Sequence, residues 1–301
     1  FESVPEMKHV RLAEREFASY LGVKHALMTS RGRTALVIAL QALGVGPEDD
    51  VILPSFSCDI LTKCVEFCKA RPIFADVEPR TFNVNPQEVE RSITKNTKAI
   101  VVIHCYGQPA DMDEILKIAK EKNVPVIEDV AHSLGAEYQG QKVGKLGHFS
   151  FFSFSKNMGC STGGALVTNC DDLMSKAKKL LEDFSSTENE IDRLKYSVKR
   201  KFFGFGRNER SILSSLGLLS VARRLADSST NNIPTLFSAT SRVAVEVIEG
   251  LRGIDRKNEE RRRKARILTE LIDDLKVPHI IPPFEETGRT HAYYIYGLKV
   301  K

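Results

Sequence analysis

Two spacings of apolar residues alternate along the first 170 residues of the chain. Apolar residues three and four positions apart predict helices, whereas short, almost continuously apolar runs predict buried strands. The predicted helices are MKHVRLAEREFASYLG, RTALVIALQALG, CDILTKCVEFCKA, NPQEVERSI and DMDEILKIAKEKN. The predicted strands are HALMTS, DDVILPS, RPIFADV, TKAIVVIHCYG and VPVIEDVA. Because helices separate successive strands, the pattern favours a mainly parallel sheet with helices on both faces.

The pattern changes after Asp171. Just before it, HFSFFSFS and GGALVTN predict a pair of strands around a turn. Helical, basic and poorly patterned sequence then runs to about Asn232. A long helix is predicted from Ser238 to Leu275, and THAYYIYGLKVK predicts the start of a further strand.

These changes divide the chain at about residue 237. We expect an α/β protein whose large domain, 1–237, carries a mainly parallel, seven-stranded type of sheet between helices and a basic helical insertion at about 183–235. The rest, 238–301, is expected to hold a long connecting helix and the start of a small C-terminal α/β domain. Because that domain would begin with a single strand, we expect it to be truncated.

The net charge of the chain limits the classes of binding partner that the sequence predicts. The 301 residues include 44 Lys and Arg against 39 Asp and Glu, a formal net charge of +5. This excess is too small to predict a nucleic-acid partner by itself. It is concentrated in 192–210, where it is typical of a solvated helical face or of a patch that contacts a membrane surface or a polyanion. The apolar stretch ILSSLGLLSVA is too short to span a bilayer.

The cysteines argue against a metal site. None of them forms a CxxC pair and no histidine cluster accompanies them, so no zinc or other metal is expected. In a chain of this size they are typical of reduced thiols in a cytoplasmic protein. The six are Cys58, Cys64, Cys68, Cys105, Cys160 and Cys170.

Three segments that could carry chemistry follow predicted strands, at the edge where ligands bind to parallel α/β sheets. The first is TSRGRTAL, a strand end, a turn at Gly32 and the start of a helix. Such a turn offers backbone N–H groups and a helix dipole to a phosphate. A tight turn needs the same glycine for geometry alone, and the GxxxxGK[ST] pattern of a P-loop is absent.

The second segment is VIEDVAH, which ends a buried strand with Glu128 and Asp129 and continues to His132. A carboxylate at this position can hold a protonated ring nitrogen or a metal. Asp129 equally suits a helix N-cap, and His132 equally suits a hydrogen-bonded polar residue without a ligand.

The third segment is FSFSKN, in which Lys156 follows Ser153 and Ser155. A buried lysine can serve as a Schiff-base nucleophile, whereas a lysine that reaches solvent needs no chemical role. Taken together, the three segments supply donors for a phosphate, an anion and an amine on one sheet. Pyridoxal phosphate needs those three groups.

At these motifs the chain resembles the DegT/DnrJ/EryC1/StrS family of pyridoxal-phosphate-dependent sugar aminotransferases. The resemblance covers most of residues 14–170 in the family's order, and the series EDxAH, SFSKN and GGALVTN is specific. The matching stretches are FASYLGVKHALMTSRGRTALVIALQALGVGPEDDVILPSF, VVIHCYGQPADMDEI, VIEDVAHSLGAEYQGQKVGKLGHFSFFSFSKN, STGGALVTN and, more weakly, NEERRRKARILTELI.

The resemblance implies a fold-type-I transferase, usually a homodimer with active sites at the subunit boundary. It also implies residue roles. Lys156 falls on the Schiff-base lysine, Asp129 on the partner of the pyridine nitrogen, and His132 on the position near the phenolic oxygen of the cofactor.

The phosphate of the cofactor is implied to bind at two places. One is the turn at Gly32, Arg33 and Thr34, where Arg33 replaces the usual threonine and could bind phosphate with two hydrogen bonds. The other is Ser153, with Ser155 as the alternative because the family spacing between serine and lysine is about two residues longer.

Two further positions depart from the family pattern. Cys58 stands where the family often stacks an aromatic ring on the cofactor, and a thiol is apolar enough to occupy that place. The asparagine that a partner subunit usually lends to the phosphate has no clear match near PTLFSATSR, where Phe237 lies.

The implied reaction is transfer of an amino group, from glutamate by family analogy, to a nucleotide-linked keto-sugar, as in the synthesis of cell-surface glycans or secondary metabolites. Dehydrating relatives replace the lysine with histidine, and Lys156 argues against that reaction. A degenerate, non-catalytic paralogue that binds a sugar nucleotide or a partner is the alternative. In either case three interpretations of the basic segment 192–210 stay open: it lines the diphosphate site of the neighbouring subunit, touches a membrane surface, or is a solvated insertion.

Overall fold

The computed structural model describes residues 4–187, 237–276 and 279–300 of the chain. The strands are β1 His25–Thr29, β2 Asp50–Pro54, β3 Arg71–Ala75, β4 Thr97–Ile103, β5 Val126–Asp129, β6 Glu137–Tyr138, β7 Gln141–Lys142, β8 Phe149–Ser153, β9 Gly164–Thr168, β10 Ile280–Ile281, β11 Arg289–Thr290 and β12 Lys299–Val300. The helices are α1 Val4–Leu21, α2 Gly32–Ala42, α3 Asp59–Phe67, α4 Pro86–Ser92, α5 Met112–Glu121, α6 Phe154–Asn157, α7 Asp171–Thr187, α8 Ser241–Leu251 and α9 Ile254–Asp274.

A seven-stranded sheet in the order β1-β9-β8-β5-β4-β2-β3 forms the centre of the molecule. The β8-β5-β4-β2-β3 pairings are parallel, and β9 is antiparallel to both of its neighbours. The sheet is therefore mainly parallel and covered by helices, which confirms the predicted fold class. It also sets the carboxyl ends of β1, β8 and β5 along one edge.

The apolar pattern explains why these elements form. Residues 99–103 of β4 are buried, as expected for a continuous apolar run covered on both faces. In α5, only one face is buried, with apolar residues at helical spacing. Asn85 accepts a hydrogen bond from the backbone N–H of Gln87 and so caps α4, whose first residue is Pro86.

The hydrophobic core lies on both faces of the sheet. On the α1 face, the ring of Phe17 meets the rings of Phe152 and Phe154 edge-on, with centroids 4.9 and 5.2 Å apart. Aromatic pairs of this kind add to the stabilisation from burial alone. They fix the end of β8 and the start of α6, between which Ser153 lies.

Two predictions about strands and helices are wrong in part. The helix predicted from Ser238 to Leu275 is two helices, because Arg252 and Gly253 form a turn between α8 and α9. Glycine lacks the side chain that would restrict its backbone, so it disfavours helix interiors. The strand predicted by HFSFFSFS ends at Ser153, and the remaining residues begin the short helix α6.

The segment THAYYIYGLKVK does not begin a single strand. Thr290 pairs with Glu137 as part of β11, and Lys299 pairs with Ile281 as part of β12, but the residues between them are irregular. Their backbone N–H groups bond to a loop rather than to a strand, since Tyr294 donates to the carbonyl of Tyr106. The aromatic pattern of this segment therefore reflects partial burial against the loop that follows β4.

Several predictions lie wholly or partly outside the described residues. The basic segment 192–210 and most of the insertion at 183–235 belong to the part that the structure leaves undescribed. Within the described ranges, no helix is long and apolar enough to cross a membrane, and no group of three or more potential metal ligands is present. All six cysteines are free thiols.

Candidate active site

The sheet brings the three predicted segments to one edge. Gly164 at the start of β9 pairs with Thr29 on one side and with Ser153 on the other. β5 lies beside β8, and its last residue, Asp129, pairs with Phe151, close to the same ends of the strands. The TSRGRTAL, VIEDVAH and FSFSKN segments therefore converge at the edge where ligands bind in parallel α/β folds.

Lys156 projects from α6 to the loop that follows β5. Its Nζ lies 3.0 Å from Nε2 of His132, and both side chains are partly buried. Burial and the positive charge of Lys156 lower the pKa of His132 to about 4. At neutral pH the imidazole is therefore uncharged, and its Nε2 accepts a hydrogen bond from the lysine amine.

Asp129 is a buried carboxyl group beside this pair, only 8% exposed. Burial raises its pKa, and this effect is partly offset by the charge of Lys156 and by the backbone N–H of Ala131, which donates to Oδ1 at 2.9 Å. The ionised form is thus short of compensating positive charge. Asp129 is therefore better suited to binding a cationic partner than to acting only as a structural cap.

Glu128, the preceding residue, has the opposite environment. It is fully buried, and its two oxygens accept hydrogen bonds from His104 Nε2, Ser150 Oγ and the backbone N–H groups of 144, 146 and 147. Burial alone would raise the pKa of Glu128, but the bonds from His104 and from the backbone outweigh burial and hold it below its usual range. Glu128 therefore anchors the loop that follows β7.

Replacing Glu128 by glutamine is expected to lower the free energy of unfolding by about 3 kcal/mol, because an amide nitrogen cannot accept the backbone hydrogen bonds. Urea unfolding measures this loss. The control is Glu121→Gln, at the exposed end of α5. Equal midpoints for the two variants would contradict the anchoring role of Glu128.

The turn at Gly32 packs directly on β8. A Cβ added at Gly32 would lie 3.0 Å from the carbonyl oxygen of Phe152 and 3.2 Å from Cβ of Ser153. Arg31, the N-cap of α2, provides no side-chain hydrogen bond to the first turn of the helix. Ser153 and Ser155 have their hydroxyl oxygens 3.4 Å apart at the same edge. The N-terminus of α2 and two serine hydroxyls thus lie at the same edge, a combination that suits an anion.

Gly164 keeps this turn in place. A Cβ there would lie 2.5 Å from the backbone nitrogen of Gly32 and 2.6 Å from the carbonyl oxygen of Phe152. We expect Gly164→Ala to lower the free energy of unfolding by about 3 kcal/mol, since backbone atoms on both sides must move. Thermal unfolding measures this change against Gly46→Ala, where an added Cβ meets no atom within 4 Å. Equal free energies of unfolding for the two variants would show that the turn accommodates the added methyl group without destabilising the fold.

The other predicted site residues lie around the same edge. Thr34 is fully buried, with its hydroxyl oxygen 3.1 Å from that of Ser30. Burial raises the pKa of Cys64 to about 12, and the charges of Arg33 and Asp129 and the thiol of Cys58 also act on it. The Sγ of Cys64 lies 3.8 Å from the backbone carbonyl oxygen of Arg33, so α3 contacts the first turn of α2 here.

Cys58 and Phe237 mark two departures from the family pattern. Cys58 is exposed at the N-cap of α3. The carbonyl oxygen of Phe237 accepts a hydrogen bond from the backbone N–H of Ser30 at 2.8 Å. Phe237 is thus joined by its backbone to the turn within the same chain.

Sequence reasoning missed two aromatic residues at this site. The His132 ring stacks on the Tyr294 ring, with centroids 4.8 Å apart, and lies 6.1 Å from the Tyr106 ring at the same interplanar angle of 20°. The backbone of Tyr106 has φ 55°, a left-handed conformation that is costly for a bulky residue. The aromatic density of HAYYIYG was the signal that could have pointed to Tyr294.

Sequence reasoning also missed the set of hydrogen bonds around Asn157, the residue after Lys156. The Asn157 amide donates to the carbonyl of Ala131 at 3.0 Å and accepts from Arg261 at 3.2 Å. Lys257 donates to the Asn157 carbonyl at 3.0 Å. Asn157 thus joins the loop after β5 to α6 and α9, and sets how Lys156 faces that loop.

Comparison with known proteins places this arrangement in a family. The model of the DegT/DnrJ/EryC1/StrS aminotransferase family matches residues 4–230. The chain is 47% identical to GDP-perosamine synthase of Caulobacter vibrioides over 169 residues, which are 56% of this chain and 46% of that protein. It is 33% identical to a pleiotropic regulatory protein of Geobacillus stearothermophilus over 296 residues, 97% of this chain and 68% of that protein.

Solved structures agree with this placement. The aminotransferase from Psychrobacter cryohalolentis superposes with a TM-score of 0.76 at 25% identity, covering 98% of this chain and 70% of that one. A 3-amino-5-hydroxybenzoic acid synthase superposes equally well, with a TM-score of 0.76 at 26% identity over 97% of this chain and 67% of that one. The chain spans about half the length of GDP-perosamine synthase. From its fold, its sheet-edge site and the extent of the family match, the chain belongs to the DegT/DnrJ/EryC1/StrS aminotransferase family.

Proposed function

We propose that the protein is a pyridoxal-phosphate-dependent aminotransferase that transfers an amino group to a keto-sugar, most directly a nucleotide-linked one. The observation that carries the proposal is the Lys156 amine, held 3.0 Å from a neutral His132 and beside the buried carboxyl of Asp129. The amine and the buried carboxyl group are two of the groups that this chemistry requires, and the imidazole positions the amine.

The residues at this edge suit each part of the cofactor. The raised pKa of Asp129, caused by burial, means that its ionised form gains from a protonated ring nitrogen. The first turn of α2 and the hydroxyls of Ser153 and Ser155 suit the phosphate. Arg33 and Thr34 belong to the same turn, and Cys58 stands at the N-terminus of α3 as the candidate contact for the ring face.

Bound pyridoxal phosphate supplies an electron sink for the carbanion that transamination generates. Lys156 would hold the cofactor through its amine, and the same amine would move a proton to and from the substrate carbon. His132 accepts a hydrogen bond from that amine and keeps it directed into the site. Asp129 would keep the ring nitrogen of the cofactor protonated, and the stacked ring of Tyr294 limits rotation of His132.

The substrates are proposed from similarity. GDP-perosamine synthase and UDP-2-acetamido-2-deoxy-3-oxo-D-glucuronate aminotransferase of Pseudomonas aeruginosa, 47% and 41% identical over about half of this chain, carry names that indicate nucleotide-linked sugars. The proposed acceptor is therefore a keto-sugar attached to a nucleoside diphosphate, with glutamate as the amino donor. A homodimer that completes each site at the subunit boundary, in the cytoplasm, is part of the same proposal.

The direct test has two half-reactions. Glutamate added to the cofactor-loaded protein should bleach its visible absorbance, and a suitable nucleotide keto-sugar should restore it. A panel of such sugars identifies the acceptor. A protein that binds the cofactor but shows neither change with any donor or acceptor would contradict the proposal.

A second candidate is a regulatory paralogue that binds without turnover. The similarity to the pleiotropic regulatory protein, which extends over 97% of this chain, favours it. The lysine beside His132 favours the enzyme, because a binding protein has no need for a partly buried amine there. Absence of cofactor absorbance after loading, together with retained binding of a sugar nucleotide, would decide for the regulator.

A further inference from the structure

One arginine of α9 is hydrogen-bonded to two asparagines close to the Lys156–His132 pair. Nη1 of Arg261 donates to Oδ1 of Asn157 at 3.2 Å and to Oδ1 of Asn258 at 3.0 Å. Asn157 follows Lys156 in α6, and Asn258 lies on α9 itself. Arg261 is half-buried and forms no ion pair with any residue that the structure describes. Its described hydrogen bonds therefore go to neutral amides rather than to a carboxylate.

Both asparagine amides also bind the loop after β5, on either side of His132. Nδ2 of Asn157 donates to the carbonyl of Ala131 at 3.0 Å, and Nδ2 of Asn258 donates to the carbonyl of Leu134 at 2.8 Å. Each asparagine is only 1% exposed. Because each Oδ1 accepts a hydrogen bond from the guanidinium cation, each Nδ2 is directed toward the loop. The loop is thus held just before His132 and again shortly after it.

A glycine allows α9 to come this close to the loop. Gly135 follows Leu134 and has a φ of 81°. A Cβ at Gly135 would lie 2.6 Å from Nδ2 of Asn258, a distance that real Cβ atoms do not tolerate. The glycine in the VIEDVAHSLG stretch therefore leaves room for the asparagine that holds the loop.

The same guanidinium group supports His132 from the side of its ring. The Cζ atom of Arg261 lies 5.9 Å from the centroid of the Tyr294 ring, and that ring stacks on the His132 ring with centroids 4.8 Å apart. A cation over the face of a tyrosine ring is attracted by its π electrons. Arg261 is therefore connected to His132 through the backbone of its loop and through the face of its ring.

We propose that Arg261 is a positioning residue for the Lys156–His132 pair. It orients the amides of Asn157 and Asn258, and these hold the His132 loop against α6 and α9. The amine and the imidazole belong to separate elements, so their 3.0 Å hydrogen bond requires these elements to be placed to within about 0.5 Å. The proposal rests on the proposed function, because the amine that is positioned is the one proposed to transfer the proton.

Two variants of the cofactor-loaded protein test this role. Arg261→Met removes both hydrogen bonds to the amides, whereas Asn258→Ala removes only the hydrogen bond to Leu134 and leaves every charge in place. Saturating glutamate should bleach the cofactor absorbance about tenfold more slowly in Arg261→Met and about threefold more slowly in Asn258→Ala. The half-saturating glutamate concentration should change by less than about twofold, because neither residue is proposed to bind the substrate.

Titration of the His132 ring, followed by NMR in the cofactor-free protein, is a readout that does not depend on turnover. Burial and the charge of Lys156 lower the pKa of His132 to about 4. Looser packing of the loop should raise this pKa toward its ordinary value of 6.5 in both variants, because the ring gains water and moves away from the amine. The ionisable groups that face the ring are those of Lys156, Tyr106 and Tyr294.

Arg266→Met is the matched control, since Arg266 is exposed on the same helix and its described partner is Glu259. It should match the wild type in both measurements. A rise of the His132 pKa in Arg261→Met alone would be the effect of the lost charge and would overturn the positioning role. Bleaching of Arg261→Met at the wild-type rate would also overturn it. Asn258→Ala keeps the test open where Arg261→Met fails to fold.

Failure of the proposed function gives a different result. In that case glutamate does not bleach the absorbance of the wild-type protein at all. The titration of His132 needs neither glutamate nor an acceptor, so it still tests whether Arg261 and Asn258 hold the loop. Normal bleaching of the wild type with an unchanged His132 pKa in both variants would overturn only the positioning role.

Discussion

Lys156→Ala is expected to abolish transamination, with turnover at least about 10⁴-fold below that of the wild type. The variant loses both proposed roles of the amine, the covalent hold on the cofactor and the proton transfer at the substrate carbon. The visible absorbance of the cofactor-loaded protein should be lost at the same time. The fold should persist, because Lys156 is partly exposed and its only described hydrogen bond is to His132.

Steady-state amination of an accepted keto-sugar and absorbance titration with the cofactor measure these effects. Lys63→Ala is the matched control, since Lys63 is a lysine of α3 whose described partner is Asp59, within the same helix. It should behave like the wild type in both measurements. Turnover of Lys156→Ala within tenfold of the wild type would show that another group performs the chemistry.

The position of the site could be predicted because it depends on strand ends. Buried apolar runs place Asp129 and Ser153 at the ends of their strands, and parallel strands bring their carboxyl ends to the same edge of a sheet. The glycine that follows the first strand predicts the turn at Gly32, after β1. These features depend on local sequence and on one topological rule, so residue pattern was sufficient to predict them.

The surroundings of the site could not be predicted in the same way. Tyr294 reaches His132 from a segment that is 162 positions further along the chain, and Arg261 reaches Asn157 from α9. Such contacts depend on how distant elements pack, which periodicity does not report. The apolar pattern of HAYYIYG suits a strand as well as a partly buried irregular segment, and only the backbone hydrogen bonds to Tyr106 decide between them.

The neighbouring carboxyl groups of Glu128 and Asp129 show the same limit of prediction from sequence. Glu128 and Asp129 end the same strand, so sequence pattern gives both as candidates. Alternation along the strand turns their side chains to opposite faces. Glu128 meets five donors on one face, whereas the described bonds to Asp129 include one backbone N–H on the other. Glu128 is thus committed to structure, and Asp129 is the carboxyl group that we propose for the ligand.

We therefore expect Asp129→Asn to lower the turnover of the enzyme without lowering the stability of the fold. Turnover should fall by about 10³-fold, because an amide does not keep a ring nitrogen protonated and offers no charge to stabilise it. The variant is close in size to the wild type, so binding of the cofactor through Lys156 should remain detectable by absorbance. Amination of the accepted keto-sugar, measured beside cofactor titration, gives both quantities for one preparation.

The stability of the cofactor-free protein should not fall in this variant. Burial raises the pKa of Asp129 in the folded state, so its contribution to stability is complete below the unfolded pKa of 3.8 and is lost as pH rises through the folded value. Asparagine carries no charge to bury, so Asp129→Asn should be at least as stable as the wild type at pH 7. Glu128→Gln should show the reverse, with the pKa of Glu128 below its usual range. A marked loss of stability in Asp129→Asn would mean that Asp129 is a structural residue like Glu128.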